Sequence, residues 1–113
     1  MHSKEIYKKI DIFSSSLALA RKKNILIEPL PINITKNINI VKQIKNLAEA
    51  KLKWHPIGFK IGATNKKIMK ILKAKEPFYS FIFKEQTFNS KKKLKLSPNT
   101  LGIELEVAYK INK

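Results

Sequence analysis

Leu101-Gly102-Ile103-Glu104-Leu105-Glu106-Val107-Ala108-Tyr109-Lys110-Ile111 alternates apolar and polar residues along most of its length. A strand turns successive side chains to opposite faces. Ile103, Leu105, Val107, Tyr109 and Ile111 therefore share one face, and Glu104, Glu106, Ala108 and Lys110 the other. The segment predicts a final strand over Leu101–Ile111, entered through a turn at Pro98–Thr100. Glu104 and Glu106 then project the same way, with Cα atoms roughly 6.5–7 Å apart. Two carboxylates so placed can converge on one hard cation such as Mg²⁺ or Mn²⁺, which prefers carboxylate oxygen to nitrogen or sulfur. Without a cation their repulsion raises one pKa. The competing reading is the wet face of an amphipathic strand paired with lysines. On the E-x-E spacing alone, the wet face is the favoured reading.

Upstream of that stretch, Glu85–Lys95 is polar and reads as a loop or hairpin arm. Phe78–Phe83 is an aromatic run suited to a buried strand. Glu76-Pro77 ends a short helix that Thr64 or Asn65 can cap and that carries Ile68, Met69, Ile71 and Leu72. Ile57-Gly58-Phe59-Lys60-Ile61-Gly62 alternates, with glycines marking close backbone approach or tight turns. Further back, Ile40, Val41, Ile44, Leu47, Ala48 and Leu52 lie on one side of a helix starting near Thr35 or Asn37. It should end by His55, because Pro56 follows. Pro29 and Pro31 make Ile25–Ile34 an extended connector. The first helix spans Ser3 to Asn24, with Ser3 as its N-cap and a stripe of Ile6, Ile10, Phe13, Leu17 and Ala20. The layout predicts an α+β fold in one domain, with a helical segment over 1–55 and a β-rich segment over 56–113.

The chain has 113 residues, a formal charge of +16 and no cysteine. One modest core is what this length allows. Absence of cysteine excludes disulfides, thiolate metal sites and a thiol nucleophile. No run approaches the roughly 18 apolar residues of a membrane-spanning helix. Ile12–Ala20 lacks a small-residue cleavage site, so no signal peptide and no membrane partner are expected, and the cytoplasm is the expected compartment. Of the 24 cationic side chains only Arg21 is an arginine. Lys, Ile and Asn, which share A/T-rich codons, fill 49 of the 113 positions, so base composition accounts for much of the charge. A small nucleic-acid-binding protein is the alternative from another class. It is disfavoured because phosphate and guanine are best gripped by the arginine fork, and because the lysines spread from Lys4 to Lys113.

Three segments taken together resemble the 2-keto-4-pentenoate hydratase branch of the fumarylacetoacetate hydrolase superfamily. They are Gly58-Phe59-Lys60-Ile61-Gly62-Ala63-Thr64, Glu76-Pro77-Phe78-Tyr79 and Gly102-Ile103-Glu104-Leu105-Glu106-Val107-Ala108-Tyr109. They stand in the family's order and at its approximate spacing. The helix with Val41 and Gln43 is similar to the one preceding the family's G-x-K-I-G-x-T segment. The likeness covers Thr35 to Ile111 well and the first helix loosely.

The resemblance implies two helices leading into part of a mixed β-fold, truncated in this chain. It implies a cytoplasmic lyase of aromatic-compound catabolism that adds water to a short unsaturated 2-oxo or 2-hydroxy acid of the 2-hydroxypenta-2,4-dienoate type. Decarboxylation of a related 4-oxalocrotonate-type acid is the alternative within the enzymes. Glu104 and Glu106 match metal ligands for Mg²⁺ or Mn²⁺, Lys60 matches an active-site lysine, and Lys60 with Thr64 would contact substrate. Lys60 could move a proton if burial near a metal lowers its pKa.

The departures are specific. The family's third carboxylate ligand lies beyond Lys113, Phe78 stands where many hydratases have Asp, and Ser80 stands where Gly is usual. A complementing C-terminal half or a homo-oligomer is therefore an expected partner, beside the small 2-oxo acid. Outside the resemblance, His55 reads as a helix-end residue and His2 as part of a frayed terminus. Ser14-Ser15-Ser16 lacks the His and Asp of a nucleophilic triad. Trp54 reads as core.

Overall fold

The computed structural model describes residues 3–112, so His2 lies outside the described residues. Helix α1, Ser3–Lys23, already includes the serine expected to cap it. Its buried side chains are Ile10, Ser14 and Ala18. The expected stripe is thus rotated toward two small residues, which let a neighbouring helix come close. Ser14 is fully buried, and its hydroxyl donates to the Asp11 carbonyl oxygen at 2.8 Å, so its burial strands no polar atom.

Helix α2, Ile32–Thr35, is a single turn in the stretch expected to be an extended connector. Prolines disfavour helix in the residue before them and not after, so a turn can start directly behind Pro31. It places Ile34 in the core with Ile10 and Ile44, flanked by Ile6, Phe13, Leu17, Leu30, Ile40 and Leu47. Helix α3, Ile38–Leu52, begins at Asn37, whose side-chain oxygen accepts from the backbone N–H of Asn39 and Ile40. It packs along α1 and buries Ile44, Ala48 and Leu52, as its spacing predicts. It stops at Lys53, which adopts a left-handed conformation at φ 55°.

Strand β1, Pro56–Gly62, and strand β2, Phe78–Phe83, pair antiparallel as a two-stranded sheet. Phe59 faces Phe81, Lys60 faces Ser80 and Gly62 faces Phe78. A Cβ at Gly62 would stand 2.7 Å from the Phe78 ring, so the absence of a side chain there lets the ring lie on the strand. Between the strands runs helix α4, Lys66–Ile71, capped by Asn65, whose side chain accepts from the Ile68 N–H at 2.8 Å.

Two expectations for the β-rich half are corrected. The Phe78–Phe83 run is not a buried strand, since Phe83 is its only buried member and Phe78 and Tyr79 are more than half exposed. Leu101–Ile111 is not a strand of the sheet, because its backbone pairs with neither β1 nor β2. Leu105 is 99% exposed and Tyr109 86%. Alternation specifies which face a strand would bury, but a strand also needs a neighbour to take its hydrogen bonds. Among the described residues this sheet provides no third member. The segment therefore buries little of its apolar surface against the body. The radius of gyration is 16.2 Å, against about 13 Å for a compact chain of this size.

One small joint connects the layers. Phe83 sits among Ala18 of α1 and Leu52 of α3, with Trp54 and Phe81 packed around it. The overall class is α+β, as the hydrophobic periodicities imply. Among the described residues no helix is long and apolar enough to cross a membrane.

Candidate functional site

Strand alternation sends Lys60, Gly62, Phe78 and Ser80 to one face of the sheet. The segment after Pro98 returns to that lysine. Lys60 Nζ lies 3.1 Å from Glu106 Oε1 and 3.3 Å from Glu104 Oε2. Three residues singled out from sequence thus meet at one point, from positions 44 and 46 residues apart in the chain. The carboxylates converge as two residues on one face should, although no ladder holds their backbone. Thr64 lies beyond the end of β1, is exposed, and makes no hydrogen bond to any of the three.

All three side chains are open to water, with Lys60 53% exposed. Hydrogen bonds donated to Glu106 first and Glu104 second, reinforced by both carboxylate charges, hold the Lys60 ammonium above its usual pKa. Lys60 is therefore a fixed positive charge at neutral pH. Proton transfer by Lys60 depends on burial beside a metal, and Lys60 is here exposed and paired with both acids.

Among the described residues no group of three or more His, Cys, Asp or Glu side chains surrounds a metal-sized space. The donor set nevertheless suits a hard divalent cation, because two carboxylates already close on a single positive charge. Ligand distances of about 2.0–2.1 Å for Mg²⁺ would require Lys60 to step aside and the oxygens to move inward.

A second polar pair was not legible in the sequence as a pair. His55, between α3 and β1, is clamped by Glu85 in the 3-10 turn Lys84–Gln86 that follows β2. The His55 backbone N–H donates to Glu85 Oε2 at 2.9 Å, and His55 Nδ1 is 2.6 Å from Glu85 Oε1. The Lys84 N–H donates to the His55 carbonyl oxygen at 2.8 Å. The available signal was the antiparallel pairing of Pro56 with Phe83, which brings residue 55 opposite residues 84 and 85 once the register is known.

The contact with the His55 side chain is the main cause that depresses the Glu85 pKa, with the His55 backbone N–H adding to it. A depressed carboxylate contributes stability above its unfolded pKa and loses that contribution as pH falls through the folded value. Denaturation curves of the wild type and of Glu85→Gln, taken between about pH 3 and 7, should diverge at the neutral end and merge at the acid end. A gap that persists unchanged in acid would mean that the carboxylate charge is not what the pair uses.

Comparison of the chain with protein-family models, with curated proteins and with solved structures finds no match in any of the three.

Proposed function

We propose that the chain contributes a half-site to a metal-dependent enzyme acting on short unsaturated 2-oxo acids, with hydration of a 2-hydroxypenta-2,4-dienoate-type acid as its reaction. The observation that carries the reading is the convergence of Glu104 and Glu106 on Lys60. The G-F-K-I-G-A-T and G-I-E-L-E-V-A-Y segments that hold these residues supply the chemical class. Glu104 and Glu106 would hold Mg²⁺ or Mn²⁺, which when bound would polarise the carboxylate and 2-oxo oxygens of the acid. Lys60, kept protonated, would draw the anionic substrate toward the site and hold it by charge. Two carboxylates are fewer donors than either cation takes, so water, substrate or residues outside these 113 would complete the shell.

The register favours a second reaction on the same substrates. β2 presents Phe78 and Ser80 on the face of Lys60, so no β2 carboxylate stands there to relay a proton. Decarboxylation of a 4-oxalocrotonate-type acid has less need of one.

Calorimetric titration with Mn²⁺ tests the shared metal site. The expected result is saturable binding by the wild type that is lost in Glu104→Gln/Glu106→Gln. In Lys60→Met binding should be retained or strengthened, because a competing cation has been removed. Binding that survives the double substitution would remove these acids from the ligand set, and failure of a folded wild-type chain to bind Mn²⁺ would mean that the pair does not hold the cation without a further ligand.

A further inference from the structure

Arg21, the chain's only arginine, is placed at the end of α1 against the chain's only tryptophan. Its guanidinium carbon lies 5.6 Å from the centre of the Trp54 ring and 5.1 Å from that of Phe83. Its fork is oriented by Gln86, whose Oε1 accepts from Nη2 at 2.8 Å and from Nε at 3.2 Å. That partner is a neutral amide. Among the described residues no carboxylate forms an ion pair with Arg21, so its charge is positioned but not neutralised.

Arg21, Trp54 and Gln86 border an open cleft of about 630 Å³, lined also by Lys22, Asn24, Glu85 and Phe88. Its volume falls in the range typical of small-molecule sites. Glu85 is the one acid on its wall, and it is already committed to His55. The cleft therefore combines two cations, one of them held in a fork geometry, with the rings of Trp54 and Phe88. It lies away from Lys60 along the sheet. Trp54 precedes Pro56, which pairs with Phe83, whereas Lys60 pairs four positions further along β1, with Ser80.

We propose that this cleft binds a small organic anion with a flat unsaturated body, its carboxylate on Arg21 and Lys22 and its plane against Trp54 and Phe88. Three features of the cleft support this. A guanidinium pairs with a carboxylate through parallel hydrogen bonds. With its faces toward the aromatic rings and its Nε–Nη2 edge on Gln86, the guanidinium keeps its Nη1–Nη2 edge for an incoming anion. The cleft wall supplies apolar area for the remainder of the ligand. The site is independent of the metal reading above, which places its chemistry on Lys60, Glu104 and Glu106.

Because Trp54 is the sole tryptophan, its fluorescence reports on the cleft directly. The full chain would be titrated with benzoate, with benzamide (the same ring without the charge) and with acetate (the charge without the ring). The expected result is a saturable change with benzoate, with affinity at least about tenfold weaker for the other two. Arg21→Gln should weaken benzoate by a similar factor, and Arg21→Lys should fall between. Lys22→Gln, at an exposed position, should weaken it less and serves as the readout if Arg21→Gln disturbs the helix–sheet joint. Equal response to benzamide, benzoate binding indifferent to both substitutions, or absence of saturation would overturn the proposal. A response confined to single-stranded oligonucleotide, and abolished by moderate salt, would overturn it in favour of nucleic acid.

Discussion

Ile44→Ala is expected to lower the unfolding free energy by about 2–5 kcal/mol, measured by urea denaturation. Ile44 is 1% exposed and lies where α1, α2 and α3 meet, against Ile10 and Ile34. The substitution removes three carbons from that contact, and α2 is too short to move into the space without losing its single turn. A domain of this size has roughly 5–15 kcal/mol of stability in total, so the variant should be measurably unfolded at modest urea. Leu105→Ala is the matched comparison. Leu105 is 99% exposed, and its truncation should change stability by no more than about 0.5 kcal/mol. If the two substitutions cost the same, the three-helix core is not the seat of stability.

Phe83→Ala should have an effect as large and more local, about 3–5 kcal/mol. The Phe83 ring is 3% exposed, meets the Trp54 ring at 5.6 Å edge-on, and is covered by Arg21. The helices pack chiefly on one another and the strands on one another, so this ring is the main connection between them. A two-stranded ladder by itself is marginal in water. Amide exchange on the variant should show β1 and β2 losing protection while α1 and α3 retain theirs. Uniform loss across helices and strands would instead mean that the two layers unfold as one unit.

The helical half was legible because its signals are local. Asn37 and Asn65, each one of two candidates at its helix start, are the caps, and the apolar stripe of α3 is buried as its spacing predicts. Ser14 escaped notice because a polar residue satisfied by its own backbone can be buried without an apolar signature. The β half was legible only as a pattern. Alternation in Ile57–Gly62 and aromatic density in Phe78–Phe83 located two strands. Neither could reveal whether a further layer covers them.

The proposed site divides in the same way. Glu104 and Glu106 were marked by spacing, and Lys60 only by the family resemblance of the segment that holds it. Their meeting is a long-range fact that no local window contains. Glu85 and Arg21 had no pattern of their own. Each acquires a role only from the register of β1 with β2, which brings the residues after Phe83 back to the ends of α1 and α3.

Residues 101–112 are bound to the body by charge rather than by buried surface. Among the described residues, the side-chain links from 101–112 to the body are those of Glu104 and Glu106 with Lys60, all solvent-exposed. Such links weaken as the Debye length shrinks from about 10 Å at 0.1 M ionic strength to 3 Å at 1 M. The apolar face of the same segment gains from burial under those conditions, and the mutual repulsion of chains carrying +16 fades with it. Ionic strength thus acts as a selector. In dilute electrolyte the leash is hooked to its own strand and the molecules keep apart. In concentrated electrolyte it is released, with its hydrophobic side turned toward any sheet edge that will accept it.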